Sequence, residues 1–251
     1  MVRRVPSEAL RSAFLRSRGG SAAGESDVVV IKLGGRALEA PGAEAELASA
    51  LATASFPAVI VHGGGREVSA WSQRLGIESR FAGGLRITDA STLEVATAVL
   101  AGLANKRLVA SLRAAGVDAV GLSALDGAIV DTVPHSADEG LGSVGRAVDA
   151  NASLLRTLLD GGFTPVISSI GAHEGALLNL NADEIAGAVA GSLGARALLL
   201  LSDVPGVVID GAVTPCIHTA DIEALLQRPD IKDGMIPKLA AARRAVEAGA
   251  G

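Results

Sequence analysis

The chain has 251 residues, 49% of them hydrophobic and 20% charged, enough apolar content to bury one large core or two smaller lobes. Its formal net charge is −5, and no Lys/Arg-rich stripe interleaves with aromatic side chains, so nucleic-acid binding has little electrostatic basis while nucleotide ligands stay open. The single Cys216 excludes an internal disulfide and suits a reducing cytoplasm, and His62, His135, His173 and His218 stand too far apart in sequence for a local metal motif.

Residues 1–27 differ from the rest: Arg3, Arg4, Arg11, Arg16 and Arg18 face only Glu8 before Glu25, and Ser, Gly and Ala follow. Three readings stay open there. They are a short helix behind Ser7 with Leu10, Ala13 and Phe14 on one side, a disordered arm, and an Arg-rich, acid-poor targeting segment. From Val28 the chain alternates short β-branched runs with helical stretches, which predicts βαβ units around a mainly parallel sheet covered on both faces.

The run Val28-Val29-Val30-Ile31 reads as a buried parallel strand over 28–33, and Lys32 stands near its end. Further strands are expected at 58–61, 119–122, 164–170 and 197–202, and helices at 43–55, 67–75, 92–115, 152–159, 182–193 and 234–248. The clearest helix is 92–115, where Leu93, Ala96, Val99, Leu100, Leu103, Leu108 and Leu112 mark an apolar stripe ended by Gly116. No apolar run approaches the roughly 20 residues that span a bilayer, so a soluble chain without a membrane partner is expected.

Three glycine-bearing segments carry chemistry: Lys32-Leu33-Gly34-Gly35, His62-Gly63-Gly64-Gly65 and Asp233-Gly234-Met235-Ile236-Pro237-Lys238. Each follows or opens a regular element. Together they offer lysine charge and backbone N–H donors, which is what phosphoryl transfer asks of a protein. A glycine after a strand lets the backbone approach a phosphate, and a helix N-terminus is an anion site. Taken singly, each segment is equally an ordinary tight turn and each lysine a solvated element end.

Those segments sit within a longer series: Ile31-Lys32-Leu33-Gly34-Gly35, Val61-His62-Gly63-Gly64-Gly65, Gly84-Leu85-Arg86-Ile87-Thr88, Asn105-Lys106, Asn179-Leu180-Asn181-Ala182-Asp183, Leu201-Ser202-Asp203-Val204-Pro205-Gly206 and the stretch from Asp233 to Lys238. In this order and spacing they resemble the acetylglutamate kinase branch of the amino acid kinase family, from about Val28 to the C-terminus; the set is far more specific than a lone Gly-Gly-Gly. The resemblance implies a three-layer αβα sandwich with a mainly parallel central sheet. It also implies an extension at 1–27, a lobe at 28–170 for acid-substrate binding and dimerisation, and a lobe at 171–251 for ATP, ending short of the last pair of strands usual in the family. The implied reaction is ATP-dependent phosphorylation of the γ-carboxylate of N-acetyl-L-glutamate, on the route to arginine.

The resemblance gives roles to residues one by one. Lys32 and Lys238 flank the transferred phosphoryl group, and Asp183 holds both lysines by ion pairs; it is no base, because the acceptor carboxylate is already ionised at neutral pH. Gly64 and Gly65 present N–H groups to the acceptor carboxylate and the γ-phosphate, Arg86 suits bidentate capture of the substrate α-carboxylate, and Asn179 hydrogen-bonds the same substrate. For ATP the candidates are Gly34 and Gly35, then Asp203, Val204 and Gly206 leaving a strand at the carboxyl edge of the sheet, with Asp230, Ile231 and Lys232 on the other side. Mg²⁺ is expected to ride with the triphosphate, with no protein carboxylate cage. A homodimer is implied, with the N-terminal segment available to link dimers.

Two other readings stay open. One is another member of the family, acting on aspartate, glutamate, carbamate, a nucleoside monophosphate or carrier-bound aminoadipate; Arg86-Ile87-Thr88 and Asn179 argue against it. The other is a catalytically silent regulatory module, against which both lysines and Asp183 argue.

Overall fold

The apolar run at Val28 forms the middle of the protein. In the computed structural model, which describes residues 26–34, 42–136, 139–202, 204, 206–231 and 234–251, it lies in strand β1 (Ser26–Leu33). There follow α1 (Ala43–Ala52), β2 (Ala58–His62), α2 (Gly65–Arg74), the short pair β3 (Phe81–Ala82) and β4 (Leu85–Arg86), α3 (Ala90–Thr97), α4 (Asn105–Ala114) and β5 (Ala119–Ser123). Next come β6 (Val130–Pro134), β7 (Val144–Ala150), α5 (Ser153–Asp160), β8 (Thr164–Ser168), β9 (Ile170–His173), β10 (Ala176–Leu180) and α6 (Ala182–Leu193). The chain then runs through β11 (Ala195–Leu201), β12 (Val208–Ile209), β13 (Ala212–Val213), α7 (Ile222–Leu226) and α8 (Met235–Glu247).

A five-stranded sheet in the order β11-β1-β2-β8-β5 is parallel throughout. Its strands are the five that the apolar runs predict. Burial on both faces explains why β1 is a continuous apolar run and not an alternating one. Val28 and Val30 pack in one cluster with Ile185, Val189 and Leu193 of α6, while Val29, Ile31 and Leu33 pack in another with Leu47 of α1 and Leu108 and Leu112 of α4. Each such fully buried Val, Leu or Ile is worth about 1.5–3 kcal/mol over exposure. Helices therefore cover both faces, and the chain is the three-layer αβα sandwich expected.

The structure adds a four-stranded sheet, β6-β7-β10-β9, mostly antiparallel with β7 and β10 parallel. The single strand expected at 164–170 is two strands: β8 stops at Ser168, and β9 starts at Ile170 in the second sheet. The long apolar helix begins earlier than expected, because Asp89 caps it by accepting from the Thr92 N–H at 2.9 Å. Between α3 and α4 it passes through a π-helical stretch, Ala98–Ala104, and it stops before Gly116 at φ +88°. At 25 residues, Ala90–Ala114 is long and apolar enough by length and composition to cross a membrane, a segment not expected from the sequence. Most of its apolar stripe faces the core: Ala96, Val99, Leu100, Leu108 and Leu112 are buried, while Leu103 is exposed.

Candidate active site

Alternate residues of a strand share a face, so Lys32 points the same way as Val28 and Val30, toward α6. There it meets Asp183. Asn181 caps α6, its Oδ1 accepting from the Asp183 N–H at 2.8 Å, which sets the Asp183 carboxylate in the first turn at the positive end of the helix. Lys32 Nζ lies 2.9 Å from Asp183 Oδ1, and Lys238 Nζ lies 3.3 Å from Asp183 Oδ2. Lys238 comes from the first turn of α8, which crosses α6 so closely that a Cβ at Gly187 would stand 2.8 Å from the Ala241 carbonyl oxygen.

One carboxylate thus serves two ammonium groups, leaving net positive charge with Lys32 and Asp183 almost wholly buried. Burial pulls Lys32 below the ordinary lysine value of 10.5; Asp183 opposes this and the charge on Lys238 adds to it. An anion brought against the pair relieves both effects.

Beside this cluster opens a cleft of about 230 Å³, walled by Lys32, Gly63, Gly64, Gly65, Arg86 and Asn179, with Val68, Phe81, Leu85 and Leu100 as its apolar lining. Gly64 and Gly65 open α2, where the first N–H groups have no partner within the helix. A Cβ on Gly64 would fall 2.8 Å from Leu100 Cδ2, in the π-helical stretch, so that stretch limits what fits at the turn.

Arg86 reaches the cleft from the hairpin β3–β4, whose turn uses Gly83 at φ +55° and Gly84 at φ +80°. Its guanidinium lies over the Phe81 ring, 4.7 Å from the centroid. Nη1 donates to Ser79 Oγ at 2.8 Å, and Nη2 donates to Ser69 Oγ at 2.8 Å and to the Gly65 carbonyl. Both hydrogens of Nη2 are therefore used by the protein. Among the described contacts Nε–H and one Nη1–H stay open, and they lie on different edges, so the two-pronged grip expected of Arg86 is not available in this geometry. Asn179, which lines the cleft, donates from Nδ2 to Thr88 Oγ1 at 3.2 Å, so its oxygen is the atom of that amide that can accept from a ligand.

The sequence-predicted residues on the acid side, Lys32, Lys238, Asp183, Gly64, Gly65, Arg86 and Asn179, thus come together. Those on the nucleotide side are placed less simply. The N–H of Gly34 donates to the Leu201 carbonyl at 3.1 Å, extending the β1–β11 ladder, so it is not turned to a phosphate as expected. Ile231 is 5% exposed, packed with Ile222 and Leu239, so its side chain is core and only its backbone can meet a ligand. Asp230 accepts from Arg228 Nε at 2.8 Å, and this partner holds its carboxyl well below the usual carboxylate range. Val204 is exposed, and Gly206, at φ +153°, packs beside Val213 of β13. Gly35, Asp203, Lys232 and the N-terminal extension to residue 25 lie outside the described residues.

Two buried polar residues at the site's rear, His62 and Asn105, carried no role in the sequence reading. Their Nε2 and Nδ2 atoms lie 3.1 Å apart. Only their positions in the Val61-His62-Gly63 and Asn105-Lys106 motifs pointed to them.

The model of the amino acid kinase family matches residues 27–250. The chain is similar to the acetylglutamate kinase of Methanopyrus kandleri, 44% identical over 88% of this chain and 91% of that protein. It is similar also to the acetylglutamate kinase of Roseiflexus sp. strain RS-1, 43% identical over 88% of this chain and 85% of that one. A solved structure from Streptococcus mutans UA159 superposes with a TM-score of 0.80 at 31% identity, covering 90% of this chain and 92% of its own. The chain belongs to the amino acid kinase family.

Proposed function

We propose that this protein is an acetylglutamate kinase, transferring the γ-phosphoryl group of ATP to the side-chain carboxylate of N-acetyl-L-glutamate on the route to arginine. The observation that carries the reading is the Lys32–Asp183–Lys238 charge cluster, with Lys32 and Asp183 buried, beside a glycine turn and a cleft of small-acid size.

In this reading a γ-carboxylate oxygen attacks the γ-phosphorus, the bond to the β,γ-bridging oxygen breaks, and ADP leaves with that electron pair. Lys32 and Lys238 neutralise charge on the equatorial oxygens and on the leaving oxygen. Asp183 organises the lysines and takes no proton, since the nucleophile is already an anion. Gly64 and Gly65 N–H groups meet the acceptor and the phosphoryl group, Arg86 receives the α-carboxylate through its open donors, and Asn179 accepts from the amide of the same substrate.

Nucleotide binding is assigned to the C-terminal half. It draws support from the exit of β11 toward Val204 and Gly206 at the carboxyl end of the sheet. Gly35, Asp203 and Lys232 are proposed on the resemblance alone. Magnesium enters as part of the substrate, with triphosphate oxygens and water supplying its ligands. Bound there, it shields phosphate charge. The lobes divide near residue 170, a homodimer through the long helix fits the exposed Leu103, and a cytoplasmic setting fits the ATP requirement.

A steady-state assay of ADP release with ATP-Mg²⁺ and N-acetyl-L-glutamate, L-glutamate, L-aspartate or carbamate tests the reading. Turnover with N-acetyl-L-glutamate at a kcat/KM well above the others is expected; preference for another acid, or none, would replace it.

A further inference from the structure

His62 ends β2, is 1% exposed, and does not itself line the cleft. Its Nδ1 lies 2.9 Å from the Gly63 carbonyl oxygen and its Nε2 3.1 Å from Asn105 Nδ2. Which ring nitrogen carries the proton follows from Asn105. The Asn105 Nδ2 donates to the Val166 carbonyl at 2.9 Å and to that of Leu122 at 3.3 Å, while its Oδ1 accepts from Lys106 Nζ at 3.1 Å. Carbonyls only accept and ammonium only donates, so Nδ2 is fixed as the donor end of the amide; its two hydrogens are shared among three acceptors, and Nε2, facing a group that cannot accept, is the bare ring nitrogen. The proton is then on Nδ1, where it donates to Gly63. Burial lowers the His62 pKa from 6.5 and keeps this ring neutral.

In a planar trans peptide the carbonyl of one residue and the N–H of the next point in opposite directions, and the described chain has no cis bond. Drawing the Gly63 oxygen inward therefore turns the Gly64 N–H outward, to the wall of the cleft that Gly64 forms. With glycine on both sides, that peptide has little steric preference of its own and needs an external hold.

We propose that His62 is a positioning residue: clamped by Asn105, it fixes the Gly63–Gly64 peptide so that the Gly64 N–H is presented as a donor to the phosphoryl group in transit. The proposal rests on the kinase reading above for the identity of the anion, and on the hydrogen-bond chain alone for the orientation of the peptide.

Long-range ¹H–¹⁵N NMR on the ligand-free wild type reads the tautomer directly. A proton on Nδ1 with bare Nε2 is expected, and the opposite tautomer overturns the proposal whatever the enzyme phosphorylates. Two variants then separate the ring's contacts. H62N places an amide N–H near the Nδ1 position, whereas the longer side chain of H62Q places its amide near Nε2, beside Asn105, and leaves the Gly63 carbonyl without the Nδ1 donor. H62Q is expected to lose kcat on the order of 10²-fold, the scale of one preorganised donor, with KM for the acid little changed, and H62N to recover most of that loss. Equal turnover of the two, with both folded by circular dichroism, overturns the positioning role. Failure of the wild type to phosphorylate N-acetyl-L-glutamate would instead remove the kinase reading and leave the tautomer result standing.

Discussion

Lys32 Nζ and Asp183 Oδ1 stand 2.9 Å apart across the join between the central sheet and α6, and the second oxygen of the same carboxylate reaches Lys238. The pairing joins the end of a strand to the starts of two helices, so the charge needed for phosphoryl transfer is set by core packing and not by loop conformation.

Breaking this pair from the carboxylate side is expected to cost more than catalysis. Asp183→Ala leaves buried Lys32 without its counter-charge, and removal of one partner from a buried pair costs about 3–5 kcal/mol. Urea unfolding should show that loss, together with a large drop in kcat. Wild-type stability in Asp183→Ala would mean that the pair is not formed in solution.

The pH dependence has a definite sign. Lys32 must be an ammonium to neutralise phosphate oxygens, and its pKa is lowered from 10.5, chiefly by burial. The alkaline fall in kcat/KM should therefore lie below 10.5. Stability moves the other way: between the lowered folded value and 10.5 the unfolded chain holds the proton and the folded chain has released it, so Lys32's contribution to folding grows as pH rises through that window. Asp183→Asn removes the influence that raises Lys32 and should shift the alkaline limb of kcat/KM to lower pH. A limb that does not move contradicts the assignment.

Helix packing should be felt in turnover. At Gly187 an added Cβ would meet Ala241 backbone oxygen at 2.8 Å, and backbone cannot swing aside. Gly187→Ala is expected to destabilise by about 1–3 kcal/mol and to push α8, with Lys238, away from Asp183. Measured together, a lower melting temperature and a reduced kcat with near-normal KM for the acid would bear this out; unchanged kcat would show that the crossing does not position Lys238.

Arg86→Lys should raise KM for the acid far more than for ATP. An ammonium cannot hold Ser79, Ser69 and the Gly65 carbonyl at once while offering a further donor. Steady-state kinetics with each substrate varied in turn decides it: an effect confined to the ATP constant would move Arg86 out of the acid site.

Much of this was legible in the residues. Strands buried on both faces leave continuous apolar runs, so all five strands of the parallel sheet could be read, and glycine motifs marked where the chain turns toward the cleft. The second sheet could not be read the same way. Its strand β7, Val-Gly-Arg-Ala-Val-Asp-Ala, mixes glycine and charge because only one side is covered, and β8 and β9 abut so closely that they read as one run. His62 and Asn105 stand 43 residues apart, and nothing local announces their meeting. The partner of the Gly34 N–H could not be read either, because a parallel ladder that continues past its last assigned pair takes it up, a tertiary fact invisible in the motif.

Trapping the acyl phosphate tests the phosphoryl transfer itself. Wild type, Lys32→Ala and Lys238→Ala are incubated with ATP-Mg²⁺, N-acetyl-L-glutamate and hydroxylamine, and the hydroxamate is measured. Hydroxamate is expected from wild type, and a rate lower by on the order of 10²-fold or more from each lysine variant while both stay folded. Near-normal hydroxamate from either folded variant, or none from wild type, would contradict this mechanism.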